Sequence, residues 1–182
     1  MELLELSDPR WKDLKATYSN GTIVAAQLAD LEAGRLLNES ESVLWQELCH
    51  EYESTEAGYA AIPHLVRMSE QAEGERALFL LGIAAYVLSC AQREVSQEMP
   101  DFLRPSLDVA CKRALGRDGT LLKQVSPSPA NSKALAYMVA AFMKDAQLFF
   151  AIEGLDARVT CPKCAEHFFP EQRALGLRNP KV

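Results

Sequence analysis

Apolar positions recur at helical spacing over most of this chain. The densest stretch runs from Ala57 to Gln92, AGYAAIPHLVRMSEQAEGERALFLLGIAAYVLSCAQ, and a polar break at Ser69 to Glu75 divides it into two helices. Pro63 lies in the first of these. A proline inside a helix removes a backbone donor and crowds the preceding turn. Pro63 therefore predicts either a kink in a helix over 55–72 or the first turn of one that starts near 61. In the second helix, to about Arg93, Leu78, Leu81, Ala85 and Leu88 make one stripe and Phe79, Ile83, Tyr86 and Cys90 the adjacent one. Apolar residues then cover most of the circumference, which predicts a helix buried on nearly all sides.

The flanking sequence gives further elements. Ser7 or Asp8 with Pro9 predicts a short first helix that carries Trp11 and Leu14 on one face. Thr22 is a cap for a helix to Ala33, with Ile23, Ala26, Leu28 and Leu31 inward and Gly34 as its stop. Leu44, Leu48 and Tyr52 form an i, i+4, i+8 stripe on a helix from about Ser42 to Tyr52, widened by Trp45 and Cys49. Pro100 and Pro105 bracket a helix start that continues to Gly116. Residues 116–119 read as a turn and Ser126 to Pro129 as a stiff loop. One long helix is expected over 131–152. From Ala157 the pattern changes to a short hairpin or an irregular tail, so the chain divides into a helical domain at 1–156 and an appendage at 157–182.

The helices group in pairs, 22–33 with 42–52, 57–72 with 75–93 and 100–116 with 131–152. Pair starts lie roughly 35 to 43 residues apart, near the period of two-helix solenoids. Ala61-Ile62-Pro63-His64-Leu65, followed by Glu75-Arg76-Ala77 and Leu80-Leu81-Gly82, resembles a HEAT repeat, with its early proline in one helix and an arginine-alanine pair opening the next. LWQELCHEYESTEAGYAAIPHL is similar to a stretch of bacterial HEAT-like proteins, some of which are immunity proteins against secreted toxins. The resemblance spans about residues 40 to 92. It implies an all-α, HEAT-like stack of about three antiparallel helix pairs with a short C-terminal tail. It brings no catalytic residues.

Composition narrows the function. Of 182 residues, 48% are apolar and 24% charged, and the net charge is −6. That suits one folded core and argues against a nucleic-acid binder, which needs a concentrated basic surface. The start MELLELSDPRW lacks the pattern of a signal peptide. Ala77 to Ala91 is free of charge for 15 residues, short of the roughly 20 that span a bilayer. Five cysteines, an odd number, fit a reducing cytoplasm.

Two features carry candidate chemistry. Cys161-Pro162-Lys163-Cys164 has zinc-knuckle spacing, and His167 supplies a third donor. A structural zinc takes four ligands, so the fourth would come from His50, His64, Cys111, Glu166 or a second subunit. The simpler reading is two free thiols and no cofactor. His50 and His64 read as helix-end polar residues rather than bases, since neither has an evident nucleophile. Phosphate loops, dinucleotide fingerprints, nucleophile elbows and H-E-x-x-H are absent from the sequence, which favours a non-enzymatic protein. The second feature is the acidic stretch at 39–56. Glu39, Glu41, Glu47, Glu51 and Glu53 surround Trp45 and Tyr52. Such runs are usually solvated faces, but glutamates around aromatic anchors also suit a partner surface. The expected function is a protein-binding module, an immunity protein that masks a basic toxin by direct binding. The alternatives are a helical-repeat scaffold with a zinc-stabilised tail and an enzyme with an unrecognised site.

Overall fold

The computed structural model describes residues 3–35, 38–51, 53–91, 96–153, 159–160 and 167–168. Asp8 opens the first element. Its carboxylate accepts from the Arg10 amide, Pro9 takes the first helical position, and Pro9–Asp13 forms a single 3-10 turn. Trp11 and Leu14 are buried beside it, as their spacing predicts.

Helix α1 spans Gly21–Glu32. Its cap is Asn20, whose side chain accepts from the Thr22 amide, so Thr22 is already inside the helix. The inward residues are Val24, Ala25, Leu28 and Leu31. Ile23 and Ala26, expected inward, face solvent. Gly34 follows at a φ of +70°, the left-handed conformation that ends helices.

Helix α2 spans Asn38–Leu48 and stops four residues short of the expected Tyr52. Competing backbone pairing ends it. Cys49–His50 (β1) pairs antiparallel with Glu53–Ser54 (β2), and Glu51 turns the chain at a φ of +47°. Tyr52 lies outside the described residues. Thr55 then caps α3, Glu56–Gln71, accepting from the Gly58 amide at 3.0 Å. Pro63 sits inside this helix. The intrahelical bond it removes is offset by the apolar packing of α3 against α1, α4 and α5.

Helix α4, Gly74–Cys90, packs along α3 and against α7. A 3-10 turn at Asp101–Leu103 leads into α5, Arg104–Leu115, with Pro105 in its first turn. Asp118 and Gly119, expected in a turn, instead open a short helix, α6, Asp118–Gln124. Its core anchor is Leu121, which is fully buried. The long helix expected over 131–152 is two. Helix α7, Pro129–Phe142, is capped by Ser128, and α8 spans Ala146–Glu153. Lys144 breaks the run at a φ of +59°, and the Asp145 carboxylate accepts from the Leu148 amide at 2.9 Å, restarting the helix. Beyond it, Val159–Thr160 (β3) pairs antiparallel with His167–Phe168 (β4).

The described residues are thus mostly helical, as the periodicity predicts. Charged bridges flank α3 on both sides: Arg67 grips Glu32 of α1 at 2.6 Å, and Arg113 of α5 grips Glu70. Among the described residues no helix is long and apolar enough to cross a membrane.

Candidate functional site

Side chains from α2, α4, α7 and α8 enclose an open groove with a cavity volume of about 710 Å³. Phe79, Gly82 and Tyr86 of α4 stand at i, i+3 and i+7, which puts them on one face. Trp45 of α2 stacks on Tyr86, ring centroids 4.8 Å apart and planes tilted by 30°. On the far side Tyr137 of α7 meets Phe149 of α8 edge to face at 4.9 Å. At Gly82 an added Cβ would meet nothing within 4 Å, so the groove stays open at that point.

The walls are apolar and aromatic, and the lip is charged. Arg76 lies over the Phe79 ring at 5.4 Å and Lys133 over Tyr137 at 5.3 Å. The Glu75 carboxylate, which also lines the groove, accepts from the Asn131 amide nitrogen at 3.0 Å. Desolvation and aromatic stacking are the interactions such a surface offers.

Most of the circumference of α4 is buried, as its apolar pattern predicts, with α3 and α7 packed against it. The exception is one stripe, on which Phe79 is 42% exposed and Tyr86 half-buried, and this stripe is groove wall. The excess of apolar residues on α4 over what one packing face needs was the sequence signal for a site.

The acidic stretch is dispersed. Trp45 is in the groove. Glu47 is a correction: it is buried, and its carboxylate accepts from the backbone amides of Tyr18 at 2.9 Å and Ser19 at 3.2 Å. It ties the loop before α1 to α2 and cannot present its charge to a partner. Glu51 and Glu53 are exposed on the β1–β2 turn, beyond the end of α2. The side chains of Glu39 and Glu41, in the first turn of α2, lie outside the described set.

Cys161 and Cys164 of the zinc half-site also lie outside the described residues. Backbone pairing places His167 opposite Thr160, immediately before Cys161. Among the described residues no group of three or more histidine, cysteine, aspartate or glutamate side chains could hold a metal. Two expected fourth ligands are already committed or buried. Cys111 is buried in α5, and that burial raises its thiol pKa. His64, expected near a helix end, is buried in the middle of α3. Its Nε2 donates to the Leu4 carbonyl at 2.9 Å, which fixes the neutral tautomer. Desolvation lowers its pKa to about 4; the bond to Leu4 and the Glu32 charge oppose the shift, and the Arg67 charge adds to it. His50 lies on β1, bonded to the Tyr18 hydroxyl at 2.9 Å.

Comparison with known protein families, curated proteins and solved structures gave no match to this chain. Fold and site together define a mostly helical chain with an aromatic-lined groove among α2, α4, α7 and α8.

Proposed function

We propose that this chain is a non-enzymatic protein-binding module, an immunity protein that neutralises a cognate toxin by direct binding in the cytoplasm. The observation that carries this reading is the groove. Trp45, Phe79, Tyr86, Tyr137 and Phe149 give it the aromatic composition typical of binding hot spots. Glu51 and Glu53, exposed on the β1–β2 turn, belong to an acidic stretch of sequence whose charge would steer a basic partner. The helices are read as a HEAT-like stack of three pairs, α1/α2, α3/α4 and α5/α7. Supporting this, α3 touches α1 and α5 in one row, and α4 touches α7 in the other.

The test is a binding titration against the basic protein that a pull-down from the native host recovers. A tight complex that weakens with salt is expected, and Tyr86→Ala should weaken it by at least tenfold, about 1.4 kcal/mol. Unchanged affinity in Tyr86→Ala and Trp45→Ala would remove the groove from the partner surface.

A second reading, a helical-repeat scaffold with a zinc-stabilised tail, is supported by the β3–β4 pairing, which sets His167 opposite Thr160, the residue before Cys161. It requires stoichiometric zinc by elemental analysis, lost in Cys161→Ser and Cys164→Ser. Metal-free protein would sink it.

A further inference from the structure

We infer that residues 3–14 form a strap that acid lifts from the helices, with His64 as its release and the Leu14–Lys15 junction as its hinge. The chain is held differently on the two sides of that junction. Beyond it the backbone is fastened. The Lys15 amide donates to the Glu56 carboxylate at 3.0 Å, and the Lys15 carbonyl accepts from the Ala57 amide at 2.9 Å. The Thr17 amide donates to the Glu47 carbonyl at 3.2 Å, and the Tyr18 and Ser19 amides donate to the Glu47 carboxylate. The Gly21 amide donates to the Leu14 carbonyl at 2.8 Å and pins the junction itself. Before the junction the chain rests on apolar contact. Leu4, Trp11 and Leu14 are buried, and the 3-10 turn packs on α1. Several polar contacts there stay within the strap: Trp11 Nε1 donates to the Glu5 carbonyl at 2.9 Å, and Arg10 pairs with Asp8. Arg10 also lies over the exposed Phe102 ring at 5.2 Å. The hydrogen bond that reaches α3 runs from His64 Nε2 to the Leu4 carbonyl.

His64 lies buried against this strap, its ring centroid 6.0 Å from that of Trp11. Its Nδ1 is buried and has no hydrogen-bond partner among the described residues. A proton there creates a second donor with no acceptor and a cation in an apolar site, and both disfavour the packed state. The charged groups that act on the ring are Glu32 of α1 and Arg67 of α3. They pair with each other at 2.6 Å, so their effects on the ring oppose one another. Desolvation therefore dominates and holds the folded pKa at about 4, against 6.5 in water. Lifting residues 3–14 takes Leu4 and Trp11 off the ring and lets water reach it. The lifted state then binds the proton first as pH falls, and its population grows between about pH 6.5 and 4. The fastened residues beyond Lys15 stay in place because their bonds do not involve His64.

Native-state hydrogen exchange on the full chain resolves such an opening from global unfolding. Exchange is followed by mass spectrometry at intervals from pH 7.5 to 4.5 and corrected for the intrinsic pH dependence of amide exchange. Peptides covering 8–14 should be less protected than those of α4 at every pH. Their protection should fall by up to about 70-fold across the interval, the factor set by pKa values of about 4 and 6.5. His64→Gln should abolish that fall. Equal protection in 8–14 and α4 would mean that the strap opens only with the whole fold, and it overturns the inference. So does strap protection that is independent of pH, or a fall of the same size in His64→Gln. If that variant does not fold, the profile of the parent chain decides. The fall must begin near pH 6.5, where a solvated histidine titrates, and one that begins only below about pH 5 belongs to carboxylates and overturns the inference.

Discussion

Trp45 and Tyr86 stack at 4.8 Å although they belong to helices separated in sequence by the whole of α3. The contact joins α2 to α4 along one wall of the groove, so the same pair shapes the surface and helps hold the helices that form it. A double-mutant cycle with Trp45→Ala and Tyr86→Ala should give a coupling of about 0.5–1.5 kcal/mol in urea unfolding, the range for aromatic pairs. Strict additivity would mean that the rings do not meet in solution.

Glu47 and Glu51 should respond in opposite ways to charge reversal. Glu47→Lys removes the acceptor of two backbone amides and buries a cation in its place. A loss of about 1–3 kcal/mol is expected. Glu51→Lys, on an exposed turn, should stay within about 0.5 kcal/mol of the parent. Chemical denaturation of the two variants separates a structural glutamate from a surface one. Equal effects would contradict the burial of Glu47.

Two helical glycines make a second contrast. A Cβ at Gly58 would lie 2.4 Å from the Leu48 carbonyl oxygen and 3.1 Å from Val87. Because backbone cannot move aside cheaply, Gly58→Ala should cost about 1–3 kcal/mol. Gly82 meets no such obstacle, and Gly82→Ala should gain up to about 1 kcal/mol from helix propensity. Thermal melts decide this, and destabilisation of Gly82→Ala would show that the space beside it is filled.

Protonation of His64 links stability to pH. Its pKa is about 4 when folded, against an unfolded value of 6.5. Because the folded value is depressed, the unfolded chain binds the extra proton first as pH falls. The stabilisation is fully present above about pH 6.5, declines between 6.5 and 4, and changes no further below 4. From pH 7.5 to 5 this group alone should remove about 2 kcal/mol. His64→Gln keeps a donor within reach of the Leu4 carbonyl but cannot titrate. The variant should lose about that much less than the parent over the same interval. Parallel pH profiles would rule out His64 as the titrating group.

Much of the helical content was legible because caps and periodicity are local. Asp8-Pro9, Gly34 and the Thr55 start mark boundaries through backbone hydrogen bonds and allowed φ values within a few residues. The misplaced boundaries have local causes that periodicity does not register. The long apolar run over 131–152 breaks at Lys144 through a backbone turn, and α2 stops where β1 and β2 exchange hydrogen bonds. The groove was not legible. Trp45, Tyr86, Tyr137 and Phe149 are spread over four helices, and nothing in the spacing of any one of them shows that they converge.

The sequence by itself determined that this is a mostly helical, acidic chain with enough apolar surface for a core, since composition depends only on which residues are present and helical period only on their local order. Only the tertiary structure decided which apolar and charged groups stay in contact with water. Glu47, in the most acidic stretch, is buried because two amides from a distant loop satisfy it, and Phe79, in the most apolar stretch, is exposed because α3 and its neighbours leave its side of α4 uncovered. Burial is a property of what packs against a residue, and those neighbours come from elsewhere in the chain.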